Sequence, residues 1–198
     1  MPVVVVNSGG ANISSVLHAL PRLGVEPQFT ADAAIISVAE RVILPGVGAA
    51  GRAMDVLRDH GLVDIIRGLR QPVLGICLGM QLLFESSAED NADMLGLIPA
   101  RLDRFSEKEG LRVPHMGWNA IRNVQQNSLN KSLDNTWFYF VHSFYAPVGE
   151  WTLSTSYHGR PFSAMVRQRN FYGAQFHPER SAGGGAKLLQ GFLETPLP

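Results

Sequence analysis

Three times in its first half the chain passes from a short apolar run into a glycine-bearing turn and then into a segment with helical spacing. Val3-Val4-Val5-Val6 breaks at Asn7-Ser8-Gly9-Gly10 before the helix-like run Ile13 to Leu20. Arg41-Val42-Ile43-Leu44-Pro45 enters Gly46-Val47-Gly48 and a helical segment from about Ala49 to Arg58. Pro72-Val73-Leu74-Gly75-Ile76 leads through Cys77 into Met80-Gln81-Leu82-Leu83-Phe84, read as a third helix. Strands without a polar face must be covered on both sides, so the pattern predicts an α/β fold with an open, mostly parallel central sheet flanked by helices. Ligands of such sheets gather beyond the carboxyl ends of the strands, where all three turns lie.

After about Asn91 the rhythm changes to shorter segments rich in aromatic and β-branched residues. Trp137 to Val141 and Trp151 to Thr155 read as additional strands, some of them antiparallel. A final strand, Phe171 to Phe176, runs into His177-Pro178-Glu179, and a closing helix is expected over Ala186 to Leu193 after a glycine-rich turn. With 198 residues, 45% of them hydrophobic, and no internal repeat or low-complexity linker, the expectation is one domain over residues 1–198. Lys plus Arg (17) equals Asp plus Glu (17), which argues against nucleic acid or an anionic membrane as the principal partner. A neutral small substrate or another protein fits better. No secretory signal and no apolar run near the roughly 20 residues of a membrane span is present, so the chain reads as cytoplasmic.

The single cysteine, Cys77, cannot form an internal disulfide or a multi-thiolate metal site. It is either a buried core residue or a reactive thiol. Its setting, Gly75-Ile76-Cys77-Leu78-Gly79, joins an apolar strand to a helix with glycines two before and two after, the form of a nucleophile elbow. Such a turn aims the thiol into a cleft, beside a helix N-terminus that favours a thiolate. The Leu78 N–H then becomes a candidate oxyanion donor.

A thiol nucleophile needs a base, and His177 is the best placed of six histidines, because it ends an apolar strand with Glu179 two positions on. In extended chain those positions share a side, so the carboxylate can fix the imidazole tautomer. His18, His60 and His158 stand in bland settings, whereas His115 and His142 have richer surroundings and could line a cleft. The loop Pro45-Gly46-Val47-Gly48 is either a tight strand-to-helix connection or a segment whose backbone flips to supply a second oxyanion donor.

The segments Gly-Ile-Cys-Leu-Gly-Met-Gln at 75–81 and Gln-Phe-His-Pro-Glu at 175–179 resemble those of the class I glutamine amidotransferases. Pro45 to Gly48, Pro114-His115-Met116-Gly117-Trp118-Asn119 and Phe140 to Ser143 narrow the likeness to members that feed a cyclase in histidine biosynthesis. The resemblance implies a flavodoxin-like fold and a Cys77–His177–Glu179 triad that hydrolyses glutamine through a thioester. It implies an oxyanion hole from the Leu78 and, after a loop flip, Val47 N–H groups, with glutamine held at Gly48, Gln81, Ser143 and Phe144. It implies a heterodimer with a (β/α)8-barrel cyclase that receives the ammonia, with Asn12, Trp118 and Arg180 at the contact, and it calls for no cofactor and no metal. Arg180 stands where relatives often carry lysine, and Phe144 where many carry tyrosine.

Overall fold

In the computed structural model, which describes residues 2–9, 13–107 and 110–197, an eight-stranded sheet forms the centre. The chain supplies β1 (Val3–Val6), α1 (Ser14–Ala19), β2 (Gln28–Thr30), α2 (Ala33–Val38), β3 (Arg41–Leu44), α3 (Ala50–Asp59), α4 (Leu62–Gly68) and β4 (Val73–Ile76). A one-turn helix α5 (Leu78–Gln81) then precedes β5 (Phe84–Ser87) and β6 (Ile98–Arg104). The remaining strands are β7 (His115–Ala120), β8 (Arg122–Asn123), β9 (Trp137–His142), β10 (Phe144–Tyr145), β11 (Thr152–Tyr157), β12 (Pro161–Gln168) and β13 (Phe171–Ala174), and α6 (Ala182–Leu193) closes the chain.

The strand order of the large sheet is β2-β1-β3-β4-β13-β12-β11-β8. The first five are parallel and the last three run antiparallel, as the sequence led one to expect. Alternation explains why β1 is valine throughout: Val3 and Val5 enter one core, Val4 and Val6 the core on the opposite face, and all four are buried. β7 and β9 form a separate two-stranded ribbon, and β10-β6-β5 a small third sheet. No helix among the described residues is long and apolar enough to cross a membrane. Asn12 lies outside the described residues.

Two expected helices differ in extent. The run Met80 to Phe84 is not one helix: α5 stops at Gln81, and Phe84 opens β5, paired in parallel with Ile98. Leu82, Leu83 and Phe84 are all fully buried, and an unbroken apolar run carries no periodicity to separate helix from strand. The closing helix starts at Ala182, not Ala186, because the glycine-rich stretch read as a turn is its first part. A Cβ on Gly185 would lie 1.8 Å from the Pro178 carbonyl oxygen, so glycine there lets α6 pack against the segment that follows His177.

Candidate active site

The carboxyl ends of β3, β4 and β13 are adjacent in the sheet, so Pro45, Cys77 and the chain leading to His177 emerge along one edge. Cys77 sits between β4 and α5 with φ 53° and ψ −109°, a left-handed φ held by its N–H bonding the Ala174 carbonyl at 2.8 Å. The glycine at 79 is required by close approach, since a Cβ there would lie 1.7 Å from the Leu44 carbonyl oxygen. The thiol is 8% exposed and opens on a cavity of about 350 Å³. It is thus both an edge member of a core and part of a pocket wall, which joins the two readings the sequence left open.

His177 reaches the same cavity from β13. Its backbone is fixed by its N–H bonding the Tyr139 carbonyl (2.9 Å) and by the Ser181 hydroxyl donating to its carbonyl (2.6 Å). Its Nδ1 lies 2.8 Å from Glu179 Oε1, and both side chains are nearly enclosed, at 10% and 4% exposure. Nε2 is left free of Glu179 on the cavity that His177 shares with Cys77, whose Sγ lies 3.8 Å from the Val141 carbonyl oxygen. Burial pulls the imidazole pKa down, but the hydrogen bonds and charges of Cys77 and Glu179 together outweigh it and push the value up to about 10. A sulfur beside an imidazolium backed by a buried carboxylate is suited to attack an acyl carbon and to protonate a leaving amine.

Val47, Gly48, Leu78, Gln81, Ser143, Phe144 and Arg180 all line the cavity with Cys77 and His177. Glu179 stands behind His177, away from it. The expected N-terminal helix dipole is small, because α5 is a single turn, and the Leu78 N–H is not free: it donates to the Gly46 carbonyl at 3.3 Å. The Gly46–Val47 peptide therefore turns its oxygen, not its N–H, toward the place of the expected hole. Gly48, at φ +100°, is the adjoining joint, and a Cβ on it would meet nothing within 4 Å, so this corner has room to turn.

Trp118 is half exposed on β7 and lines an open groove of about 1110 Å³ together with Met116 and Trp137. It does not line the thiol cavity; Pro114 borders both spaces. His142 lines the cavity and His115 the groove, as their surroundings suggested. Two residues escaped the sequence reading. Glu89 lines the cavity, one carboxylate oxygen accepting the Ala50 N–H at 2.8 Å, yet it lies in the polar stretch Glu85 to Asp93, which reads as a solvated loop. Gln175 is fully buried with its amide nitrogen 3.9 Å from Cys77 Sγ, and only its place two residues before His177 hinted at a shared side. Among the described residues no His, Cys, Asp and Glu cluster is suited to hold a metal.

The family description "Glutamine amidotransferase class-I" matches residues 4–195. The imidazole glycerol phosphate synthase subunit HisH of Shigella flexneri is 48% identical over 196 residues, covering 98% of this chain and 100% of its own. The subunit of the same name from Xanthomonas euvesicatoria pv. vesicatoria is 48% identical, covering 99% and 98%. A crystal structure of a glutamine amidotransferase, 22% identical, shares the fold with a TM-score of 0.74 over 96% of this chain and 97% of that one. The chain thus belongs to the class-I glutamine amidotransferase family.

Proposed function

We propose that this chain is the glutaminase subunit of an imidazole glycerol phosphate synthase, hydrolysing glutamine and passing the ammonia to a (β/α)8-barrel cyclase in the cytoplasm. The observation that carries the catalytic half is the convergence of Cys77, His177 and Glu179 at one sheet edge, with Cys77 and His177 opening on the cavity. The near-full-length identity to subunits of that name supports the pathway. Exposed Met116, Trp118 and Trp137 beside the cavity supply an apolar face suited to a partner, with Arg180 at the cavity mouth.

Glutamine lies with its side-chain amide against Cys77, between Gly48, Gln81, Ser143 and Phe144. The thiolate attacks the amide carbon, and the tetrahedral oxyanion takes the Leu78 N–H and, after rotation of the Gly46–Val47 peptide, the Val47 N–H. His177 protonates the departing nitrogen, which leaves as ammonia. It then takes a proton from the water that attacks the thioester, so that glutamate and the thiol are restored. Since the Gly46 carbonyl occupies the Leu78 N–H in this structure, the chain alone is expected to be a slow glutaminase, and partner binding supplies the rotation.

The pathway is tested by mixing the chain with acceptor enzymes one at a time and measuring glutamine-dependent product. Coupling to the cyclase barrel is expected; coupling instead to an acceptor of anthranilate or guanylate synthesis would overturn the assignment while leaving the glutaminase chemistry intact.

Glu179→Gln tests the triad. Removing the charge lets burial act on His177, so its pKa falls from about 10 and the alkaline limb of the rate profile moves to lower pH. Because the folded-state value lies above the ordinary 6.5, the pair's contribution to stability is complete below pH 6.5 and is lost as pH rises through about 10. The variant should lose that contribution at neutral pH, and its kcat should fall by about 10²-fold. A pH series of rates and melting temperatures checks both.

A further inference from the structure

Along and behind the cavity wall, polar groups to which the reaction assigns no proton transfer form a hydrogen-bonded string that ends on the reacting sulfur. Gln81 Nε2 donates to the Phe144 carbonyl (3.1 Å) and to Gln175 Oε1 (3.0 Å), and Gln175 Nε2 donates to Cys77 Sγ (3.9 Å). Chemistry fixes each direction. A backbone carbonyl only accepts, so the Gln81 atom at Phe144 is the amide nitrogen. Its second N–H then requires an acceptor, which makes the facing Gln175 atom the oxygen and turns the Gln175 NH₂ onto the sulfur.

The Phe144 carbonyl is itself held from the other side. His142 Nδ1 lies 2.8 Å from it and must donate, leaving His142 Nε2 to accept from His115 Nδ1 at 3.0 Å. His115 Nε2 in turn accepts from the Asn119 amide at 3.2 Å. That order needs both imidazoles neutral, and burial foremost lowers His142 to about 3 and His115 to about 4. Donation from β7 on the groove side and from Gln81 thus converges on the Phe144 carbonyl, and from Gln81 onward it runs to the nucleophile; with both imidazoles neutral this arrangement holds across the neutral range.

We propose that Gln175 belongs to the catalytic machinery: its buried amide donates to the Cys77 sulfur, in an orientation set by Gln81 on the cavity wall. The inference rests on the proposed role of Cys77. A donor withdrawn from water favours the charged form of the atom it faces, so Gln175 steadies the thiolate before attack and again when the thioester is cleaved. One Gln81 N–H is committed to the Phe144 carbonyl and the other to Gln175, which leaves Oε1 as the group Gln81 offers to substrate. The other titratable or charged groups around the sulfur are His177 with Glu179 behind it, and His142, Glu89 and Arg180 on the cavity wall.

Because Cys77 is the only cysteine, alkylation by iodoacetamide reads this sulfur alone. In Gln175→Met, which keeps length and removes the donor, the midpoint of alkylation rate against pH should rise by about one unit, a tenfold loss of thiolate. The kcat for glutamine should fall about tenfold with KM nearly unchanged. Gln81→Met, which releases the Gln175 amide, should shift the midpoint the same way and also raise KM. Superimposable alkylation profiles for wild type and a folded Gln175→Met, judged by near-ultraviolet circular dichroism, would overturn the proposal. Should that variant not fold, Gln175→Glu, of the same shape, decides: a carboxylate against the sulfur must raise the midpoint, and an unmoved midpoint refutes the contact. A wild type with no glutaminase activity under any condition would instead sink the role of Cys77, which separates the two failures.

Discussion

Cys77→Ser should abolish glutamate release, lowering the rate by about 10³-fold or more, while the partner's synthesis from added ammonium salts continues unchanged. The serine hydroxyl fits the elbow, but it titrates far above a thiol and is not ionised by the imidazolium at His177 Nε2, so attack on the amide is lost without loss of the fold. The melting temperature should stay within a few degrees of wild type, because a sulfur-to-oxygen change at a position 8% exposed removes little buried apolar surface. Glutamate release and cyclase product, each measured with glutamine and with ammonium, form the complete test. Loss of both synthetic activities would point instead to a structural role for the cysteine.

The second large effect is expected at Gly79. A methyl group at this position would lie 1.7 Å from the Leu44 carbonyl oxygen and 3.3 Å from the Pro45 carbonyl carbon, and all of these atoms are backbone. No rotamer relieves such a contact, so β3 and α5 must separate, disturbing the register of Leu44 with Gly75 in the centre of the sheet. Gly79→Ala should cost about 3 kcal/mol or more, seen in chemical denaturation as a markedly lower midpoint or as failure to accumulate folded protein. Any folded fraction should have lost glutaminase activity, because the same contact places the Leu78 N–H beside Cys77. Gly183→Ala is the control: it lies in α6 with nothing within 4 Å of the added Cβ and should change stability little.

These two positions show what kind of information the residues carried. The elbow was legible because its requirements are local: an apolar strand, a thiol and two glycines that the turn cannot do without. The parallel sheet was legible for the same reason, since Val3 to Val6 and Arg41 to Leu44 have no polar face to leave in water. The extent of α5 was not, because Leu82, Leu83 and Phe84 are buried from all sides and their final form is decided by the Ile98 strand arriving from elsewhere. Glu89 and Gln175 were hidden for a related reason. Each becomes part of the site through neighbours distant in the chain, Ala50 for one and Gln81 and Cys77 for the other. The state of the 45–48 loop was likewise unreadable, since both orientations of the Gly46–Val47 peptide suit the same letters. Only the contact between the Gly46 carbonyl and the Leu78 N–H distinguishes them.

That contact bears most directly on the central claim, that Cys77 is a nucleophile whose oxyanion hole is completed by a partner. The decisive measurement is the rate of glutamate release from glutamine by this chain alone and with the cyclase barrel carrying its ribotide ligand. A weak basal rate that rises about 10- to 100-fold in the complex, and is absent from Cys77→Ser in both conditions, is the expected result. An equally fast rate with and without the partner, or full activity in Cys77→Ser, would contradict it.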